Sequence, residues 1–319
     1  MSLEKPSTDD ISTTINRITA DDFSQILKDT LREKLRHKIE KLGLTYERLT
    51  AGERDQCILT ILRTLQSPSI VKTGSHRIMD WEKGWGENLK LIEAADNLDS
   101  LLPRYFGKHE FVRWKQEFVR SKTEGFDYKV LNILVEWMLD RYMTNVDYIF
   151  EFGCGPGYHL AFARSCNPHA KLVGLDWAAS SQSIISNIVK KGFLSNLEGR
   201  NFDFFNPDYT LDIPPNTGIY TVAALEQIGP DIEEFIQFLI KKRPAMCAHI
   251  EPIDELLDEN NLVDSLSIFY FRKRNYLYRF LPRLQELEKE GRIVIHNQQR
   301  TYTGSFFIEG HSLIAWSPV

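Results

Sequence analysis

From Val146 onward, short apolar runs alternate with helical segments, and that alternation leaves this chain few folds to adopt. "DYIFEF" leads into a glycine turn and the helical "LAFARSC", and "KLVGLDW" leads into "SSQSIISNIVKKG". "RNFDFF" reads as a third strand and "GIYTVAAL" as a fourth. The helix "DIEEFIQFLIKKR" then precedes a fifth strand, "AMCAHIEP". Strands separated by helices pair in parallel, and a parallel sheet needs helices on both faces. After Pro252 a mostly helical stretch runs to about Gly291. "RIVIHNQQR" and "HSLIAWSP" close the chain as two strands joined by the loop "TYTGSFFIEG".

No such alternation precedes residue 146, so residues 1–145 read as a helical region. Residues 1 to about 20 read as a flexible lead. "DDFSQILKDTLREKLRHKIEKLG" places Phe23, Ile26, Leu27, Leu31, Leu35, Ile39 and Leu42 at helical spacing, with Gly43 as the stop. Thr50 and Glu53 in "TAGE" have the form of a capping box and open a helix ending near Ser67-Pro68. Residues 69–86 read as a loop leading into a helix. "KHEFVRWKQEFVRS" and "DYKVLNILVEWMLDRY" read as two further helices.

The 319 residues suffice for one large domain or two modest ones. A formal net charge of −5 argues against a general nucleic-acid binder, which needs clustered Lys and Arg. No apolar run approaches the ~18 residues of a membrane span. The polar N-terminus lacks the apolar core of a signal peptide. Cys57, Cys154, Cys166 and Cys247 make neither a CxxC pair nor a zinc-type cluster with His. Free thiols in a reducing cytoplasm, no metal site and a soluble chain, alone or as a homo-oligomer, are the expectation.

The sharpest motif is "EFGCGPGYH" at 151–159, where three glycines alternate directly after the first strand. A phosphate-binding P-loop would need a lysine and a hydroxyl residue after the last glycine, and neither is present. A dinucleotide turn would need a small residue where Tyr158 stands. S-adenosylmethionine is the third ligand class that uses such a turn.

Here the chain resembles the class I methyltransferases that use S-adenosylmethionine. Glu151, Gly153, Cys154, Gly155 and Gly157 match that family's signature at the end of the first strand. The resemblance implies a Rossmann-like, mainly parallel sheet with an antiparallel last strand. It implies that the glycines let the backbone approach the cofactor, with backbone N–H groups meeting its carboxylate. Asp176, at the end of the second strand, matches the acid that binds the ribose, and Trp177 the apolar neighbour of the adenine. Asp203 and Phe204 match the contact to the adenine edge. Each has a plainer reading: Asp176 as a helix cap, Trp177 as core, Asp203 as a solvated turn residue. The resemblance covers residues 146–319, with 253–291 as an insertion. Residues 1–145 would then be a cap that shapes the acceptor pocket.

Methyl transfer asks the protein mainly to position the acceptor and exclude water. Acceptor-facing residues belong after the fourth and fifth strands, which selects Glu226, Gln227, His249 and Glu251. Glu226 is the first candidate for orientation or base work, and His249 the second; a surface carboxylate and a core histidine are the plainer readings. His159, in the first turn after the glycines, could approach the methionine end of the cofactor or be incidental. Tyr270 and Arg274 belong to a basic and aromatic stripe that suits a sugar-bearing acceptor, or is simply a solvated helix face. Trp81 and Trp85 in "HRIMDWEKGWGENL" could reach a ligand or anchor a loop. The function this implies is methylation of a small metabolite, at a hydroxyl in the first instance. N-methylation is the nearest rival, and no Asn-Pro-Pro-Tyr-type motif stands after the fourth strand. A non-catalytic cofactor-binding protein and a nicotinamide-dependent oxidoreductase are the readings outside that class.

Overall fold

The computed structural model describes residues 14–94, 97–103, 107 and 109–319. The expected flexible lead lies outside the described residues as far as residue 13. Beyond it the chain is already ordered, as β1 (Ile15–Arg17), α1 (Ala20–Leu27) and α2 (Glu33–Leu42). The single helix expected here is thus broken. Lys28 turns left-handed (φ 51°), and Asp29 accepts from Trp137 Nε1 (2.9 Å) and Arg141 Nη1 (2.5 Å). Those partners lie more than a hundred residues away, so helical spacing could not announce the break. β2 (Thr45–Arg48) precedes α3 (Ala51–Gln66), which starts at the Thr50–Glu53 capping box and stops at Ser67, as expected. α4 (Ile78–Ala94) runs through Gly84 and Gly86 where a loop was expected.

The next expected helix is a hairpin, β3 (Phe111–Trp114) and β4 (Glu117–Ser121). Lys108, at the head of that stretch, lies outside the described residues. Lys115 and Gln116 make the turn with φ of 49° and 66°, both left-handed as a two-residue hairpin loop requires. The period-two pattern was hidden because neither face of β3 is exposed: Val112, Arg113 and Trp114 are all buried. Arg113 tolerates burial by donating to the carbonyls of Val263 (2.7 Å), Phe307 (3.0 Å) and Phe306 (3.3 Å). α5 (Phe126–Tyr142) follows as expected and is buried along most of its length.

The second part holds β5 (Tyr148–Phe152), α6 (Leu160–Cys166), β6 (Lys171–Asp176), α7 (Ala179–Lys190) and β7 (Leu197–Asn201). β7 ends before Phe202, so "FDFF" is the loop after the strand and not the strand itself. β8 (Thr217–Val222), α8 (Glu233–Lys242) and β9 (Met246–Glu251) continue the alternation. α9 (Leu262–Arg274) and α10 (Phe280–Lys289) form the helical stretch, followed by β10 (Ile293–Gln299), β11 (Thr303–Gly304) and β12 (Ser312–Pro318).

Seven strands pair in the order β10-β12-β9-β8-β5-β6-β7. β7, β6, β5, β8 and β9 are parallel, and β12 runs antiparallel between β9 and β10. Alternate side chains serve two cores. Ile149 and Leu172 face α5, α6 and α7; Phe150, Phe152, Val173 and Leu175 face α8 and α10. This is the doubly covered sheet with an antiparallel last strand that the resemblance implied. A second, antiparallel sheet, β1-β2-β4-β3-β11, joins the two parts of the chain, since β11 comes from the loop after β10.

Candidate functional site

The carboxyl ends of β5, β6 and β8 open on one cavity of about 760 Å³, its mouth included. Open α/β sheets bind ligands at this edge. The glycine turn forms its floor. Gly153, Gly155 and Gly157 have φ of 70°, 51° and 74°, a region side chains rarely enter. A Cβ on Gly153 would lie 2.4 Å from Ala224 Cβ, and one on Gly155 would lie 2.8 Å from Trp85 Cζ2. Gly153, Gly155 and Cys154 line the cavity. Gly157 serves packing instead, against Leu160 and Ile185.

The turn is held from within. Gly153 and Cys154 N–H both donate to the Leu175 carbonyl (2.7 and 3.0 Å), and Gly157 N–H donates to the Cys154 carbonyl (2.8 Å). Gly155 N–H donates to Asp176 Oδ2 (2.9 Å). The N–H groups of Gly153, Cys154, Gly155 and Gly157 are therefore all used within the protein.

Asp176 lines the cavity from the end of β6. Its Oδ1 accepts from Ala178 N–H (2.9 Å), so both oxygens are anchored and each keeps a further lone pair. Burial pushes its carboxyl up to about 6, against the pull of those two N–H groups. Trp177 and Phe204 line the cavity beside it. Trp177 stacks on Phe205 with centroids 5.8 Å apart, and Phe204 meets Phe235 edge-on at 4.8 Å. Asp203 does not line the cavity: it accepts from Phe205 N–H and Asn206 Nδ2, both at 2.9 Å, as a turn residue.

On the other side of the turn Glu151 lines the cavity, buried, with Tyr220 Oη donating to its Oε2 (2.8 Å). His159, just before α6, lies with Nδ1 3.6 Å from Glu151 Oε1. At the end of β8 the chain passes through Val222, Ala223 and Ala224, all lining the cavity, with Ala223 left-handed at φ 49°. Glu251 holds this strained turn. It accepts from Ala224, Leu225 and Glu226 N–H (3.0, 3.1 and 3.3 Å) and from the Thr221 hydroxyl (2.8 Å). Burial raises Glu251 to about 7. Gln227 lines the cavity, and its Nε2 donates to Glu226 Oε1 (2.6 Å). Glu226 is not a lining residue. Burial, reinforced by Glu251, raises it to about 8, against Gln227 and Arg274.

Three more expected site residues lie elsewhere. His249 is wholly buried in β9, takes the Trp316 Nε1 hydrogen (3.0 Å) at Nε2 and pairs with Thr221 Oγ1 (3.0 Å) through Nδ1. Burial pushes it down to about 3, so it is a satisfied core histidine and no base. Tyr270 and Arg274 also miss the cavity. Tyr270 stacks on Phe307 at 5.0 Å, and the Arg274 guanidinium lies over Tyr276 (5.2 Å) and Tyr270 (5.9 Å).

Part of the wall comes from the N-terminal region. Trp85 and Trp81 of α4 stack at 5.3 Å and both line the cavity, with Trp85 against Gly155. Glu82 fastens α4 by accepting from Ser180 N–H at the start of α7 (3.1 Å). Pro103, Pro156, Tyr158 and Ile228 complete the lining that sequence reasoning did not assign. Tyr158 counted there only against a dinucleotide; its hydroxyl takes the Asn132 Nδ2 hydrogen of α5 (2.9 Å).

No protein family matches the sequence, and no curated protein is similar to it at a significant level. Part of the chain is similar to solved structures. An O-methyltransferase of neocarzinostatin biosynthesis, in complex with S-adenosyl-L-homocysteine and 1,4-dihydroxy-2-naphthoic acid, is 14% identical with a TM-score of 0.41. The match covers 60% of this chain and 54% of that one. The pyocyanin biosynthetic protein PhzM is 12% identical (TM-score 0.44; 60% of this chain, 56% of that one). Magnesium protoporphyrin IX methyltransferase from Synechocystis is 10% identical (TM-score 0.44; 60% and 83%). The chain thus spans little more than half of the first two.

Proposed function

We propose that this chain is an S-adenosylmethionine-dependent methyltransferase acting on a small molecule, in the first instance at a hydroxyl. The observation that carries this reading is the meeting of the glycine turn, Asp176, Trp177 and Phe204 in one cavity. Side chains on Gly153 or Gly155 would fill that cradle, so the residues present fit a nucleoside cofactor. When bound, the cofactor supplies the methyl group and its leaving group. Asp176 offers its remaining lone pairs to ribose hydroxyls, and Trp177 and Phe204 offer apolar faces to the base. Gln227 orients the acceptor, with its amide held by Glu226 (2.6 Å). Glu226 does not line the cavity, so it acts by positioning Gln227. Residues 1–145 act as the cap, through the Trp81–Trp85 wall, and residues 146–319 as the cofactor domain. The insertion at 253–291 backs Glu226 through Arg274.

Titration calorimetry with S-adenosylmethionine, S-adenosylhomocysteine and NADH tests the reading. Saturable binding of the first two and none of the third supports it. No binding of either sulfur compound removes it. Transfer of a labelled methyl group to sugar, phenol and amine acceptors then separates oxygen from nitrogen as the target.

A further inference from the structure

We propose that His159, paired with Glu151, is the seat for the amino-acid head of the cofactor, and that His159 Nε2 takes its carboxylate. The inference rests on the methyltransferase reading and adds a residue that the glycine signature does not contain.

Sheet order sets the direction. Asp176 and Trp177 follow β6, and Phe204 follows β7. A nucleoside held there sends its remaining arm the other way, across β5 toward β8. Glu151 on β5 and His159 after it line the cavity on that side. The N–H groups of Gly153, Cys154, Gly155 and Gly157 beneath all have internal partners, so the floor of the turn offers the carboxylate no donor and a neighbouring side chain is placed to supply one. His159 is 8% exposed, and its Nε2 is buried without a hydrogen-bond partner among the described residues. A buried polar atom left in that state costs stability unless a ligand completes it. Its other nitrogen faces Glu151 Oε1 at 3.6 Å, and Glu151 is steadied by the Tyr220 hydroxyl (2.8 Å). An acid and an imidazole side by side complement the ammonium and carboxylate of an amino acid.

Three ligands isolate the contact: S-adenosylhomocysteine, its decarboxylated analogue S-adenosyl-3-thiopropylamine, and 5′-methylthioadenosine, which lacks the whole head. His159→Phe keeps a ring against Tyr158 (5.3 Å) and Phe162 (5.9 Å) and removes both nitrogens. It should weaken S-adenosylhomocysteine at least about tenfold, the loss of one hydrogen bond to a charged group, and change the other two by less than about twofold. His159→Gln, which keeps an N–H donor, should recover part of the loss. Equal weakening of all three ligands, equal weakening of the two that carry the amine, or unchanged S-adenosylhomocysteine affinity overturns the proposal. If the unmutated protein binds none of the three, the methyltransferase reading falls, and this inference with it.

Discussion

The two sides of the cavity are built differently. On the side proposed for the cofactor, the glycine turn, Asp176, Trp177 and Phe204 sit at the ends of neighbouring strands, each a few residues from the strand that places it. On the side proposed for the acceptor, Trp81 and Trp85 from α4, Pro103, the 222–228 turn and Gln227 come from segments far apart in the chain. The first side depends on strand spacing. The second depends on how the cap docks, through contacts such as Glu82 to Ser180 N–H. A substitution on the first side should therefore damage fold and cofactor binding together, and one on the second should spare the fold.

Gly153→Ala tests this most severely. The new Cβ meets Ala224 Cβ at 2.4 Å in a left-handed backbone. Strain and overpacking together should cost about 3 kcal/mol of stability and abolish S-adenosylhomocysteine binding, read by urea unfolding and calorimetry. A fully stable, binding-competent mutant would break the comparison.

Asp176→Ala comes next. It should weaken S-adenosylhomocysteine by at least about 1.5 kcal/mol, since a charge-assisted bond is lost and the Gly155 and Ala178 N–H groups are released. The carboxyl titrates near 6 and binds hydroxyls best when ionised. Affinity should therefore fall as pH drops through 6, and that limb should vanish in Asp176→Asn.

On the acceptor side the sign of the pH effect concerns stability. Glu226 and Glu251 are held protonated by burial, up to about 8 and about 7, whereas in the unfolded chain they ionise near the ordinary glutamate value. The folded state binds more protons in that window, so stability falls as pH rises from about 5 toward 8. Melting temperatures across that range should fall less steeply for Glu226→Gln, with cofactor affinity unchanged. A steeper fall would contradict the burial argument.

The smallest effect is expected from Glu82→Ala. Loss of its bonds to Ser180 should raise the dissociation rate of S-adenosylhomocysteine by about threefold, with stability changed by under about 1 kcal/mol. Stopped-flow tryptophan fluorescence would follow it through Trp81 and Trp85. An unchanged rate would show that the cap does not gate the cofactor.

What was legible in advance follows the same division. The alternation after residue 146, the Thr50 capping box and the glycine turn were readable because each depends on residues within one or two turns of the chain. The hairpin at 111–121 was not, because Arg113 is buried by three carbonyls from distant segments and so reads as a polar helix position. Asp203 illustrates the opposite error: its place matched, but the chain had left β7 at Asn201 and turned the carboxylate onto its own backbone.

Spacing alone determined the parallel sheet, the edge at which the cavity opens and the turn that forms its floor, since strand, turn and helix are covalent neighbours there. Tertiary structure alone decided that His249 is core, that Tyr270 and Arg274 are not at the cavity, and that His159 and the α4 tryptophans belong to its wall. Those outcomes depend on which face of an element is covered by a segment remote in the chain. Local sequence carries no term for that choice; it is made by packing and by the satisfaction of buried polar groups.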